Sequence, residues 1–148
     1  QYDIIGDGFR DELQIIKNTT EKLHLENIVK IHGRIPYNNL KEYFDNSNIG
    51  ISYVPITDYY QNQPPTKTYE YILSGLFCIG TATNSNKELI TTDNGILIQD
   101  DPESFCKGLE LFLKKRSLIS ENIIRRSLSQ YTWENIVNTK LKPIIESI

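Results

Sequence analysis

Lys67 and Glu70, three residues apart behind Pro64 and Pro65, are the pair whose types and spacing hold the most chemistry in this chain. The stretch from Gln63 to Thr81 predicts a loop, a short helix carrying both residues, a stop at Gly75 and a buried strand. A helix start leaves backbone N–H groups without partners and carries a partial positive charge, so an anion there gains hydrogen bonds and favourable electrostatics together. Lys67 adds a full charge. Glu70, one turn further on the same face, is an acceptor suited to sugar hydroxyls. Phosphate beside hydroxyls points to a nucleotide. The plainer alternative is an exposed i,i+3 ion pair worth about 0.2 to 0.5 kcal/mol. Glu88, after Thr83-Asn84-Ser85-Asn86-Lys87, is open between stabilising a helix N-terminus and lining a cleft.

Other chemistries find less support. Gly6-Asp7-Gly8 is either a tight turn or a turn that lets backbone approach a phosphate, and it lacks the third glycine and later acid of a dinucleotide fingerprint. No Walker pattern is present, and no serine sits in a nucleophile elbow. His24 and His32 stand without the cysteines or carboxylates of a metal site and read as structural. Cys78 and Cys106 have neither disulfide-framework nor metal-ligand spacing, and are expected as buried free thiols. The net charge of −3 and pI near 5.4 leave no excess of Lys and Arg to neutralise a nucleic-acid backbone. Lys114-Lys115-Arg116 and Arg125-Arg126 are read as solvated faces, with an anionic membrane surface as the alternative.

The elements that must position these residues alternate. Tyr2 to Ile5, 28–31, 49–54, 76–79 and 95–98 are short runs rich in Ile, Val and aromatics, suited to parallel strands buried on both faces. Helical spacing joins Phe9, Leu13, Ile16, Thr20 and Leu23; then Leu40, Tyr43 and Phe44 after Pro36; then Phe105, Leu109, Phe112 and Leu113. Strands separated by single helices predict an α/β fold with a Rossmann-like, doubly wound parallel sheet. Extra C-terminal helices follow from Ser120, with stripes at Ile124, Leu128 and Tyr131 and at Val137, Leu141, Ile144, Ile145 and Ile148. Trp133, between the stripes, is expected to anchor packing. In such sheets ligands bind beyond the carboxyl ends of the strands, which selects the loops at 6–8, 33–36, 55–65 and 81–87. The length of 148 residues fits one domain, 1–148. Gln1 in place of an initiator Met, on a strand that has already begun, gives the expectation that the chain starts inside a larger protein.

Five segments in order resemble a known family. They are Ile4-Ile5-Gly6-Asp7-Gly8, Val29-Lys30-Ile31-His32-Gly33, residues 40–49, Pro65-Thr66-Lys67-Thr68-Tyr69-Glu70-Tyr71 with Gly75, and Asn94-Gly95. Together they are similar to the C-terminal, nucleotide-sugar-binding domain of GT-B glycosyltransferases, family 4 (glycosyl transferases group 1). The resemblance implies a retaining transferase whose donor is a UDP, GDP or ADP sugar, with no cofactor and no metal. It places Glu70 on the ribose hydroxyls, Thr66 and Lys67 at the diphosphate, and Arg34 and Ile35 in the loop framing the base. Gly6 and Gly8 fall in the glycine turn that lines the donor. Asn62 stands where the family's first glutamate contacts the sugar, so no catalytic set is complete. The resemblance also implies a missing N-terminal acceptor domain and a missing basic pair. On its own the chain is then expected to be inactive, since one half of a cleft cannot position both reactants.

The expected setting is a bacterial, cytoplasmic transferase of a polysaccharide pathway, with peripheral membrane association through the missing part. Its partners would be a nucleotide sugar and the acceptor domain, not nucleic acid. The competing expectation, motivated by Asn62, is a non-catalytic nucleotide-binding or protein-interaction module on the same fold.

Overall fold

The computed structural model describes residues 1–9 and 11–147, so the expected place of Ile148 in the last apolar stripe lies outside the described residues. The chain divides into two compact units, Gln1–Tyr43 and Phe44–Ile148.

In the first unit β1 (Tyr2–Ile5) and β2 (Val29–Gly33) pair in parallel, with α1 (Glu12–Lys22) between them in the chain. The register runs from Tyr2↔Val29 to Ile4↔Ile31 and then slips to Ile5↔Gly33, which leaves His32 as the extra residue. The slip brings the His32 ring to Asp3, with Nε2 and Oδ1 2.7 Å apart. That hydrogen bond, ahead of every other influence, holds the Asp3 carboxyl below its ordinary range. α1 ends on His24, which takes φ +54 while its N–H reaches the Glu21 carbonyl and the Leu25 N–H reaches Thr20. This is a Schellman closure made without glycine. Both histidines therefore have structural duties.

A short helix, α2 (Leu40–Asp45), comes next in the chain, and in the second unit the sheet order is β3-β4-β5, all parallel: Ile49–Ser52, Phe77–Thr81 and Gly95–Ile98. Burial on both faces holds for β4, whose five residues are all buried; β3 and β5 are edges and only partly covered. α3 (Thr66–Leu73) and α4 (Asn84–Leu89) make the two crossovers. α3 stops as predicted: Gly75 adopts φ +90, its N–H reaches Ile72, and the Leu76 N–H returns to Tyr71. Gly95 is required by contact, because a Cβ there would stand 2.3 Å from the Cys78 carbonyl oxygen on β4.

α5 (Pro102–Lys115) starts on Asp101, whose carboxylate accepts from the Ser104 N–H, and buries Phe112 against Phe77. α6 (Glu121–Ser127) adds Ile124 to the same core, which Ile72, Ile79, Leu89, Ile90 and Ile98 complete. Each such side chain withdrawn from water contributes about 1.5 to 3 kcal/mol. Asn94, fully buried, ties the turn before β5 to α6: its Nδ2 donates to the Leu89 carbonyl and to Ser127 Oγ. The chain ends in α7 (Trp133–Ile136), a π-helical turn (Val137–Leu141) and α8 (Lys142–Glu146).

Two expectations are corrected. Trp133 is 82% exposed and so does not anchor packing; it is the first residue of the helix that Thr132 caps. Cys106 is exposed on α5, one position along from the buried-side Phe105, whereas Cys78 is buried as expected.

Candidate functional site

Beneath the carboxyl ends of β3 and β4 lies a chain of buried polar side chains that sequence reasoning missed. Asn86 Nδ2 donates to the Thr81 carbonyl at 2.9 Å, which fixes Asn86 Oδ1 as an acceptor. Thr68 Oγ1 donates to that oxygen at 2.8 Å. With its one proton used, Thr68 accepts from Ser52 Oγ at 2.6 Å. Thr81 Oγ1 donates to the Val54 carbonyl and accepts from the Val54 N–H, at 2.6 and 2.9 Å. Ser52, Thr68, Thr81 and Asn86 are all fully buried, and no buried side-chain polar atom among the described residues lacks a partner. The network fastens α3 and α4 to the strand ends and sets the direction in which the chain leaves β3.

The loop that leaves β3 is then held along its length. Asp100, just beyond β5, accepts from the Tyr53 hydroxyl and from the Ile56 N–H at 3.0 Å. The Tyr53 hydroxyl is held protonated to higher pH by that carboxylate. Further on, Ser85 N donates to the Gln61 carbonyl at 3.1 Å and Asn84 Nδ2 to Asn62 Oδ1 at 2.9 Å, so the loop is tied to α4. A turn-rich stretch of Tyr, Gln and Asn becomes a fixed wall. Asp100 gave no signal in the sequence beyond its place before a helix start.

Between this wall and the helices opens a shallow cleft of about 270 Å³. Asn62, Tyr69, Asn84, Ser85 and Glu88 supply its polar groups. Pro64 and Pro65 supply an apolar side. The Tyr69 hydroxyl holds its proton above the ordinary tyrosine range, first because it is desolvated and then because Tyr131 and Glu88 are near. Glu88 therefore lines a cleft, which settles the choice left open by its sequence position.

The other sequence-selected residues of this unit stand on the first turns of α3. Thr66 and Glu70 are exposed, and Lys67 is half-buried. Lys67 Nζ donates to the Tyr53 carbonyl at 2.8 Å, not to Glu70, so the simple i,i+3 ion pair is not formed. Desolvation lowers the Lys67 pKa. The structure brings Asn62 together with Glu88 and leaves Thr66, Lys67 and Glu70 outside the cleft lining. In the first unit, Gly6 has φ +136 and open space beside it, with its N–H on the Gly33 carbonyl at 2.8 Å. Gly8 packs on α1, where a Cβ would meet that of Glu12 at 2.5 Å, and the Glu12 carboxylate accepts from the Phe9 N–H. Arg34 is exposed and Ile35 half-buried. Among the described residues no group of three or more His, Cys, Asp or Glu could hold a metal ion. No helix among them is long and apolar enough to cross a membrane.

Residues 1–142 match the model of the family described as glycosyl transferase-like. The chain belongs to that family. Among solved structures, this glycosyl transferase-like chain is similar to sucrose-phosphate synthase from Thermosynechococcus elongatus, at TM-score 0.72 and 17% identity, over 98% of this chain and 38% of that one. The pneumococcal O-GlcNAc transferase GtfA, solved with UDP and GlcNAc, matches at TM-score 0.73 and 16% identity, over 99% and 29%. Anabaena Alr3699/HepE, solved with UDP, matches at 0.71 and 14%, over 99% and 40%. At these identities the likeness shows the fold. The Rossmann-like α/β architecture and the resemblance to GT-B glycosyltransferases are borne out. The chain spans 38%, 29% and 40% of the lengths of these three structures. A search of curated proteins matches none of them.

Proposed function

We propose that this chain is the donor-binding part of a glycosyltransferase and takes a nucleoside-diphosphate sugar. The observation that carries this is the place of the cleft: it opens where the loops after β3 and β4 are tied together, beyond the carboxyl ends of parallel strands, next to the first turn of α3. Family membership and the UDP held by two of the similar structures support it. In this reading Thr66 and Lys67 meet the diphosphate, and Glu70 takes the ribose hydroxyls. Gly6, Gly8, Arg34 and Ile35 are proposed donor residues on family resemblance alone. An N-terminal acceptor domain supplies the rest of the cleft, and transfer is of the retaining type. Cationic groups there would stabilise charge gathering on the leaving diphosphate.

A second reading has one observation in its favour. Asn62, at the position of the family's first glutamate, is an amide already engaged by Asn84, which suits a module that binds nucleotide without transferring sugar. Equilibrium titration with UDP, GDP and ADP and their glucose conjugates separates the outcomes. Glu70→Ala is expected to weaken nucleotide binding about tenfold or more, the scale of losing a charge-assisted hydrogen bond, with Glu88→Ala leaving the bare nucleotide unaffected. Absence of any nucleotide binding overturns both readings. Binding without transfer or hydrolysis by the longer protein favours the module.

A further inference from the structure

The cleft holds an unusual balance of groups. Asn62 Oδ1 is occupied by Asn84, which leaves the Asn62 amide N–H groups as donors and the Asn84 side-chain oxygen as an acceptor. Among the described residues the hydroxyls of Tyr69 and Ser85 find no hydrogen-bond partner, and they complete the donor side. Among the same residues the carboxylate of Glu88 has no hydrogen bond and no ion pair, and no other charged side chain lines the cleft. The nearby ammonium of Lys67 is turned to the Tyr53 carbonyl. Neutral donors and acceptors around one anionic acceptor, with proline rings on one side, match a ring that carries several hydroxyls and no negative charge. A phosphate or carboxylate would meet Glu88 without a compensating cation.

We infer that this cleft receives the sugar of the donor, that the sugar is an uncharged hexose, and that Glu88, not the residue at position 62, determines this specificity. The inference rests on the donor reading above. It assigns to Glu88 the acceptor role that an amide at position 62 fills less well, since Glu88 presents two free oxygens to sugar hydroxyls where the single Asn62 oxygen already accepts from Asn84. An anionic sugar is disfavoured by like charge with Glu88.

The test uses this chain, with UDP, UDP-glucose and UDP-glucuronate as probes in equilibrium titrations. UDP-glucose is expected to bind more tightly than UDP, and about tenfold more tightly than UDP-glucuronate, the scale of one partly screened like-charge contact. Glu88→Gln keeps the shape and removes the charge, so UDP affinity stays while the preference for glucose over glucuronate collapses to about twofold. Asn62→Asp adds a second carboxylate and widens the preference. The inference is overturned if UDP binds but neither sugar adds affinity, or if Glu88→Gln leaves the glucose-to-glucuronate ratio unchanged. Should Glu88→Gln fail to fold, Glu88→Ala decides by the same ratio. Failure of UDP and both sugars to bind overturns the donor reading itself, and is distinct from the case in which UDP binds without sugar discrimination.

Discussion

Lys67 shows how a residue can be located by its sequence and still be misread in its contacts. Its place after two prolines and before a helix marks it as a cation beside a helix start, and that much follows from the chain. The spacing to Glu70 suggests an ion pair, yet the four-carbon stem reaches back to the Tyr53 carbonyl instead, because the loop after β3 folds over α3 and offers an acceptor that no local pattern reveals. Half-burial holds its pKa below the ordinary lysine range. If it grips a diphosphate, Lys67→Ala costs nucleotide affinity about tenfold. In the native protein that affinity falls with rising pH earlier than an ordinary lysine would give, because the depressed group loses its positive charge first. Titrations of UDP at pH 7 and above check both. The two cysteines differ in the same way: Cys78 is buried and its thiol is pushed up to about 12, while Cys106 is exposed. A thiol reagent at pH 8 is expected to modify one cysteine of the folded chain quickly, Cys106, and to reach Cys78 only on unfolding. Two fast thiols would show that the β4 core opens readily.

At the scale of elements, the five strands can be read from short Ile- and Val-rich runs, and the stop of α3 from Gly75. The bounds shift by one or two residues where the ladder runs on through a Gly or Thr that the apolar pattern discounts, as β4 does through Gly80 and Thr81. What fastens α3 and α4 to the sheet cannot be read this way. Ser52, Thr68, Thr81 and Asn86 look like surface residues, and only the convergence of four segments makes them a buried network. Such a network is costly to break, since each orphaned buried group loses about 1 to 3 kcal/mol. Asn86→Ala removes the acceptor of the Thr68 hydroxyl proton and one of the two donors to the Thr81 carbonyl, so urea unfolding should show a loss of about 1 to 3 kcal/mol. Asn84→Ala, exposed and making one side-chain hydrogen bond, should stay within about 0.5 kcal/mol of the parent. A small effect at Asn86 would mean that water replaces it, and that the loop above is less fixed than its hydrogen bonds imply.

Across the whole molecule, the distribution of apolar surface is what the sequence leaves most open. The periodic stripes of the last helices do not say what they pack on, and Leu141, Ile144 and Ile145 are 49%, 61% and 60% exposed, and Trp133 more so. Helical spacing shows that a face is apolar; it does not show that the chain itself provides the opposing surface. A run of neighbouring exposed Ile, Leu and Trp is sticky in water, and the chain's only tryptophan reports on it. In dilute solution the fluorescence of Trp133 should lie at the red limit of water-exposed indole, be open to collisional quenchers, and move little on unfolding. If the face self-associates, the emission shifts to the blue as the chain is concentrated. Ile144→Lys with Ile145→Lys should then abolish that shift without lowering the thermal midpoint, because neither side chain belongs to the core built on Ile72, Phe77 and Ile124. A blue, quencher-protected Trp133 at the lowest concentration would instead place the indole against this chain's own surface. The lysine variants distinguish that case, since a face packed within the chain loses stability when its isoleucines are charged, whereas an open face loses only its tendency to associate.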